Sequence, residues 1–165
     1  FDVDFIKQLK TFYMCGNLGD PIMANETLET FKWLRSINPD LWLSMNTNAG
    51  AQEENWWYEL AQVFGRMGAV IFSVDGLEDT NPIYRIRSDW KSIIMGMRTM
   101  GSLPKDRKPW LEWKYLVFPY NKHQVPEARK LAEEIGIDSY KPVKSERDIY
   151  NYHVPNNEIY DWSKQ

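Results

Sequence analysis

The sequence predicts an α/β fold: a partial, open barrel of parallel strands built from about four to five βα units. Three observations predict it. Short apolar, β-prone runs alternate with helical patterns along the chain. The alternation repeats at roughly thirty residues, the length of one βαβ unit. Each run also ends in a polar or glycine-containing loop, at residues 16–21, 46–50, 75–76 and 119–121. Right-handed crossovers turn such an alternation into a parallel sheet. Four or five units are too few to close an eight-stranded barrel. A three-layer doubly wound sheet is the second choice.

Taken in order, Phe5, Ile6 and Leu9 sit at helical spacing and make residues 4–10 the end of a helix, with residues 11–15 as the first strand. Asn25 is placed to cap the next helix, whose Leu28, Phe31 and Leu34 give it one buried face. That helix stops near Asn38-Pro39, because the residue before a proline avoids helical angles. Residues 41–45 are the second strand. Trp56, Leu60, Phe64 and Met67 stripe the helix after it, with Gly68 as its left-handed stop. Residues 69–74 are the third strand, nearly all apolar as in a strand covered on both faces.

Ser88 is placed to cap a helix carrying Trp90, Ile93, Ile94, Met97 and Met100 and stopped at Gly101. Residues 102–108 form a loop open to proteolytic nicking. Residues 110–118 are a fourth, longer strand. Pro126 suits a first helical turn, Ala128, Leu131, Ala132 and Ile135 form the buried face, and Gly136 ends the helix. Residues 137–140 read as a fifth strand. From about Val143 the pattern dissolves, so residues 1–142 form the barrel domain and residues 143–165 a tail or linker.

The 165-residue length allows one domain with a substantial core. A net charge of −3 and a pI near 5.5 leave no broad basic field, which argues against nucleic acid and anionic membranes as partners. No apolar run approaches the roughly 20 residues of a membrane helix. One cysteine permits no internal disulfide and points to a reducing compartment, the cytoplasm. That residue, Cys15, reads as a buried structural thiol at a strand end. His123 and His153 lack paired ligand spacing, so no metal ligand is assigned. Aromatic residues make up 15% of the chain, heavy for its length; they imply a large aromatic core or surfaces that pack on segments outside these residues.

Parallel topology delivers Gly19 and Asp20, Thr47 and Asn48, Ser73 and Asp75, and Tyr120 and Asn121 to one rim. Their amide, hydroxyl, backbone and carboxylate groups suit a zwitterionic or nucleoside ligand better than a phosphate-rich one. Asp20 or Asp75 accepts from an ammonium or sugar hydroxyls, and Arg85 or Arg87 supplies charge for a carboxylate. A paired-carboxylate mechanism through Asp20 and Asp75 has no spacing to fix it, and no catalytic residue is assigned.

The order Gly-Asn-Leu-Gly-Asp-Pro, Thr-Asn-Ala-Gly, Ser-Val-Asp-Gly and then Tyr-Arg resembles the core of the radical S-adenosylmethionine enzymes over roughly residues 10–140, as do Val117–Asn121 and Gly136-Ile137-Asp138. The resemblance implies a partial (β/α)6 barrel that holds S-adenosylmethionine. Gly19, Asp20 and Pro21 match the last three positions of the Gly-Gly-Glu-Pro loop that meets its amino group. Ser73 matches a residue that approaches its carboxylate or ribose, Arg85 the basic residue that pairs with the carboxylate, and Thr47, Asn48 and Asn121 polar positions nearby.

The family also binds a 4Fe-4S cluster through three cysteines, which one cysteine cannot supply. The expectation is therefore a fragment of such an enzyme, inert as given, with the cluster present only in the intact parent. The start at Phe1 and the aromatic excess point the same way. Two other readings stand beside it: a degenerate barrel serving as a binding or assembly module, and an unrelated partial-barrel or flavodoxin-like enzyme for a small metabolite. A truncated barrel exposes the edge of its first strand, so marginal stability or self-association through that edge is expected. The substrate is not legible.

Overall fold

Strand order decides the architecture. In a computed structural model, which describes residues 2–16 and 18–145, five strands form one all-parallel sheet in sequential order. They are β1 (Thr11–Met14), β2 (Trp42–Thr47), β3 (Gly68–Ser73), β4 (Trp110–Val117) and β5 (Ser139–Lys144). The helices are α1 (Val3–Gln8), α2 (Thr27–Ile37), α3 (Glu54–Phe64), the single turn α4 (Asn81–Tyr84), α5 (Trp90–Gly101) and α6 (Val125–Ile135).

Every crossover steps the same way along the sheet, so right-handed connections lay the helices side by side on one face. Accordingly α1 packs on α2, α2 on α3, α3 on α5, and α5 on α6. A doubly wound sheet reverses direction at a switch point and is covered on both faces. This sheet does neither, and is the open, singly wound barrel that the sequence predicts.

Beneath the helices lies the core. Leu43, Met45, Val70, Phe72, Leu111 and Trp113 point into it from the strands, and Phe31 and Phe64 meet edge to face at 4.7 Å between α2 and α3. Among the described residues no helix covers the other face. Ile71 on β3 is only half-buried there, so the apolar run of β3 does not mean coverage on both sides.

Local chemistry moves several boundaries. Asp20, not Asn25, is the capping side chain before α2: its Oδ1 accepts from Ile22 N and caps a 3-10 turn at Pro21–Met23, while the α2 N-cap, Glu26, makes no side-chain cap bond. On α3 the buried stripe is Trp57, Leu60, Ala61 and Phe64, one residue round from the stripe through Trp56, and Met67 is exposed. Gly65, with φ +48°, ends that helix instead of Gly68, which opens β3 where a Cβ would lie 2.8 Å from Leu43 O. Asp89 caps α5 in place of Ser88, its carboxylate accepting from Lys91 N and Ser92 N.

Pro126 and Gly136 take the roles expected of them at the ends of α6. β5 runs on through Lys144, so the boundary drawn at residue 142 falls inside a strand. Residues 146–165, including His153 and most of the expected tail, lie outside the described residues.

The end of the sheet opposite the rim is braced by two cations, the half-buried Arg35 and the buried Lys108. Arg35 donates to the carbonyls of Pro39, Leu41, Val63, Phe64 and Met67, tying α2 to the ends of α3 and the start of β2. Lys108 pairs with Asp138 at 2.8 Å and donates to Gly136 O.

Candidate functional site

At the carboxyl end of β1 the chain turns through Gly16 and Gly19, with φ +72° and +143°. A Cβ on Gly16 would come within 3.3 Å of Gly19 O and of the Pro21 ring, so glycine lets the loop fold onto itself. Asp20 then joins two loops, its Oδ1 capping the turn at Pro21 and its Oδ2 accepting from Asn48 N at 2.5 Å. After β2, Thr47 Oγ1 accepts from Ala49 N and Asn48 Oδ1 from Gly50 N. Ala49 is fully buried with φ +57°, a left-handed geometry that costs a non-glycine residue about 1–2 kcal/mol. Such strain gathers at ligand-binding loops.

After β3 comes a buried carboxylate that ties three parts of the rim together. Asp75, 1% exposed, accepts from Leu116 N through Oδ1 at 2.7 Å and pairs through Oδ2 with Arg85 Nε at 2.7 Å. Its backbone donates to Asn81 Oδ1 and accepts from Asn121 Nδ2. Asn121 also accepts from Phe118 N and donates to Leu116 O. The loops after β3 and β4 are thus one hydrogen-bonded unit, extended by Gln124, which accepts from Leu77 N, meets Thr80 and donates to Asp79.

A polar cavity of about 270 Å³ opens between these loops, and Gly19, Asp20, Thr47, Asn48, Ser73 and Arg85 line it. Pro21 lines an adjoining apolar cleft of about 750 Å³ along β1 and α2, which shares Cys15, Gly16 and Gly19 with the cavity. Asp75 and Asn121 stand behind the wall with their polar atoms engaged, and hold Arg85 and the β4 loop in place. Arg87 lies off the cavity, exposed at φ +64°. Tyr120 stacks on Phe118.

Sequence reasoning gave neither Cys15 nor Asn46 a place at the site. Cys15 is exposed and lines the cavity, which corrects its reading as a buried structural thiol. β1 is an edge strand and its end is bare. Asn46 lines the cavity too, and its Oδ1 is buried without a partner. The polar alternation Ser44, Asn46, Asn48 was its signal, since alternate residues of a strand share a face. Tyr13, on the same face, has its phenol pushed up first by burial and then by the charges of Cys15 and Glu112. Among the described residues no three His, Cys, Asp or Glu gather to hold a metal ion, and no helix is long and apolar enough to cross a membrane.

No family model matches the sequence, and no curated protein is similar to it. Solved structures do match. SuiB of Streptococcus suis aligns with 90% of this chain at 12% identity and a TM-score of 0.64, over 32% of its own length. SuiB bound to S-adenosylmethionine aligns with 86% of this chain at 13% identity and a TM-score of 0.58. His-tagged anSMEcpe with bound AdoMet aligns with 91% at 16% identity and a TM-score of 0.60, over 43% of its length. The chain therefore spans 31–46% of the length of the solved structures it matches. At such identities the likeness is one of fold: this chain shares the fold of SuiB and of anSMEcpe over the matched parts.

Proposed function

We propose that the polar cavity at the ends of β1, β2 and β3 binds the amino-acid end of S-adenosylmethionine, and that the chain is the cofactor-holding part of a radical S-adenosylmethionine enzyme. The observation that carries this reading is the donor set around one small space. The Arg85 guanidinium, tethered by Asp75 through Nε, lines the same 270 Å³ as the Asp20 carboxylate and the partnerless Asn46 Oδ1. A cation and an anion facing one cavity suit a zwitterion: Arg85 takes the carboxylate, and Asp20 with the Gly19 carbonyl takes the ammonium. Pro21 shapes that loop, while Thr47, Asn48 and Ser73 supply the polar wall. Asp75 and Asn121 act as positioning residues. The cavity is smaller than the roughly 300–1,000 Å³ of a whole-ligand pocket, which leaves the nucleoside outside it.

S-adenosylmethionine, when bound, supplies a sulfonium whose reductive cleavage starts radical chemistry. The 4Fe-4S cluster that the fold family uses for that reduction does not fit these residues: it needs three thiolates and the sequence holds one. The reading is thus of a chain that binds the cofactor without cleaving it, in an enzyme whose cluster ligands lie outside these residues. A reducing, cytoplasmic setting suits the single free thiol. The one cysteine also favours a second reading, a binding or assembly module without catalysis.

Calorimetry tests the binding step. S-adenosylmethionine should bind the chain, and Arg85→Gln should weaken binding at least tenfold; no binding, or indifference to Arg85→Gln and Asp20→Ala together, sinks the proposal. Anaerobic iron-sulfur reconstitution of the longest product of the gene separates the two readings. A brown protein that cleaves S-adenosylmethionine supports the enzyme, and a colourless one the module.

A further inference from the structure

The only cysteine of the chain borders the space that the rim encloses. Cys15 is exposed at the bare end of β1, and it lines both the polar cavity of about 270 Å³ and the apolar cleft beside it. Exposure alone would make it a thiol open to any oxidant. What it faces sets it apart.

Asn46 Oδ1 lines the same cavity, buried and without a hydrogen-bond partner, and a buried acceptor left unmet carries a cost that a bound donor removes. Arg85 uses Nε on Asp75, while its two Nη groups make no hydrogen bond among the described residues. Asp20 accepts one backbone N–H at each oxygen and keeps room for more, since a carboxylate offers about four lone-pair sites. A guanidinium with unused donors, a carboxylate and an orphaned amide oxygen thus share one small space with a thiol. That donor set fits the two charged ends of an amino acid.

We propose that Cys15 is a modification site, forming a mixed disulfide with a small α-amino-acid thiol of the cysteine type. The Cys15 thiolate attacks one sulfur of the symmetric disulfide, whose S–S bond breaks as the new Sγ–S bond forms. One amino-acid thiolate leaves with the electron pair, so Cys15 is oxidised and the disulfide reduced. The attached amino-acid end lies one methylene from its sulfur, its carboxylate answering Arg85 and its ammonium Asn46 Oδ1 and Asp20. So small a cavity suits a single amino acid better than a peptide thiol. Modification fills the cavity and so excludes the amino-acid end of S-adenosylmethionine; this consequence alone rests on the proposed function.

Mass spectrometry of the whole chain tests the site with three disulfides: cystine, cystamine, which lacks the carboxylate, and 3,3′-dithiodipropionate, which lacks the amine. Because Cys15 is the only thiol, each rate is divided by that of the same chain unfolded in urea, which cancels the intrinsic reactivity of the reagent. Cystine should show a ratio at least tenfold above the other two. Arg85→Gln should remove that advantage, and Lys91→Gln on the exposed face of α5 should keep it. Equal ratios for the three reagents, or a cystine advantage that survives Arg85→Gln, overturn the proposal. The comparison of reagents needs no variant, so it stands whether or not Arg85→Gln folds. S-adenosylmethionine added before the disulfide keeps the two readings distinct. A cystine advantage with no protection by S-adenosylmethionine defeats the cofactor assignment alone; protection without a cystine advantage defeats only the modification site.

Discussion

Asp75 Oδ2 sits 2.7 Å from Arg85 Nε while its other oxygen accepts from Leu116 N, so a buried carboxylate both aims the cavity's cation and fastens β4 to the end of β3. Those two duties should separate on mutation. Asp75→Ala leaves a buried N–H and a half-buried guanidinium unpaired and should cost about 3 kcal/mol, read as a lower urea midpoint. Arg85→Gln should cost less stability, because the Arg85 side chain is 27% exposed, yet should do the greater damage to cofactor binding. Equal stability losses would show that Asp75 matters only through its ion pair.

Burial pushes the phenols of Tyr115 and Tyr140 well above their ordinary range. A raised folded-state pKa favours the protonated form in the native protein. That stabilisation is fully present below the unfolded value near 10 and is lost as pH rises from there toward the folded values. Unfolding by urea should therefore become easier above about pH 10. The two hydroxyls differ in partners: Tyr115 donates to Asn121 O at 2.9 Å, whereas the Tyr140 hydroxyl is buried with none. Tyr115→Phe should lose about 1 kcal/mol at pH 7, and Tyr140→Phe should be neutral or gain. Removing either phenol should flatten the alkaline loss.

Gly101 is the contact point between α5 and α6. A Cβ there would lie 2.0 Å from Ile135 O, a backbone atom that cannot swing aside. Gly101→Ala should therefore destabilise by about 2–3 kcal/mol despite alanine's better helix propensity. Thermal unfolding followed by circular dichroism decides it, and an unchanged midpoint would mean that the two helices separate easily.

Arg35 satisfies five carbonyls from one guanidinium. Lysine keeps the charge but not the fork, so Arg35→Lys should recover little of the roughly 2–3 kcal/mol lost in Arg35→Ala. Because this brace lies at the end of the sheet away from the cavity, cofactor affinity of the folded Lys variant should be unchanged, which the same calorimetry reads.

β1 pairs only with β2 among the described residues, and its far edge is open. Exposed Tyr13, Leu18 and Met23 flank it. We propose self-association through that edge, so sedimentation should show concentration-dependent dimers, and Tyr13→Lys should weaken them. A strict monomer at every concentration would count against it.

The fold was readable because its signals are local: apolar runs of strand length, helical stripes and loop residues repeating at one period. The cavity's Gly19, Asp20, Thr47, Asn48 and Ser73 were readable for the same reason, since parallel topology sends all strand ends to one rim. Single-residue offsets were not. Asn25 and Asp20, or Ser88 and Asp89, are equally good caps in isolation, and the packing of the turn chooses between them. What only the tertiary structure decided is which polar groups face the cavity and which hold the frame. Asp20 and Asp75 look alike in sequence, but one lines the cavity and the other is locked behind it, because a carboxylate's role depends on which donors reach it through space. The same holds for Asn46 and Cys15: exposure and orphaned acceptors are properties of neighbours brought together from distant parts of the chain.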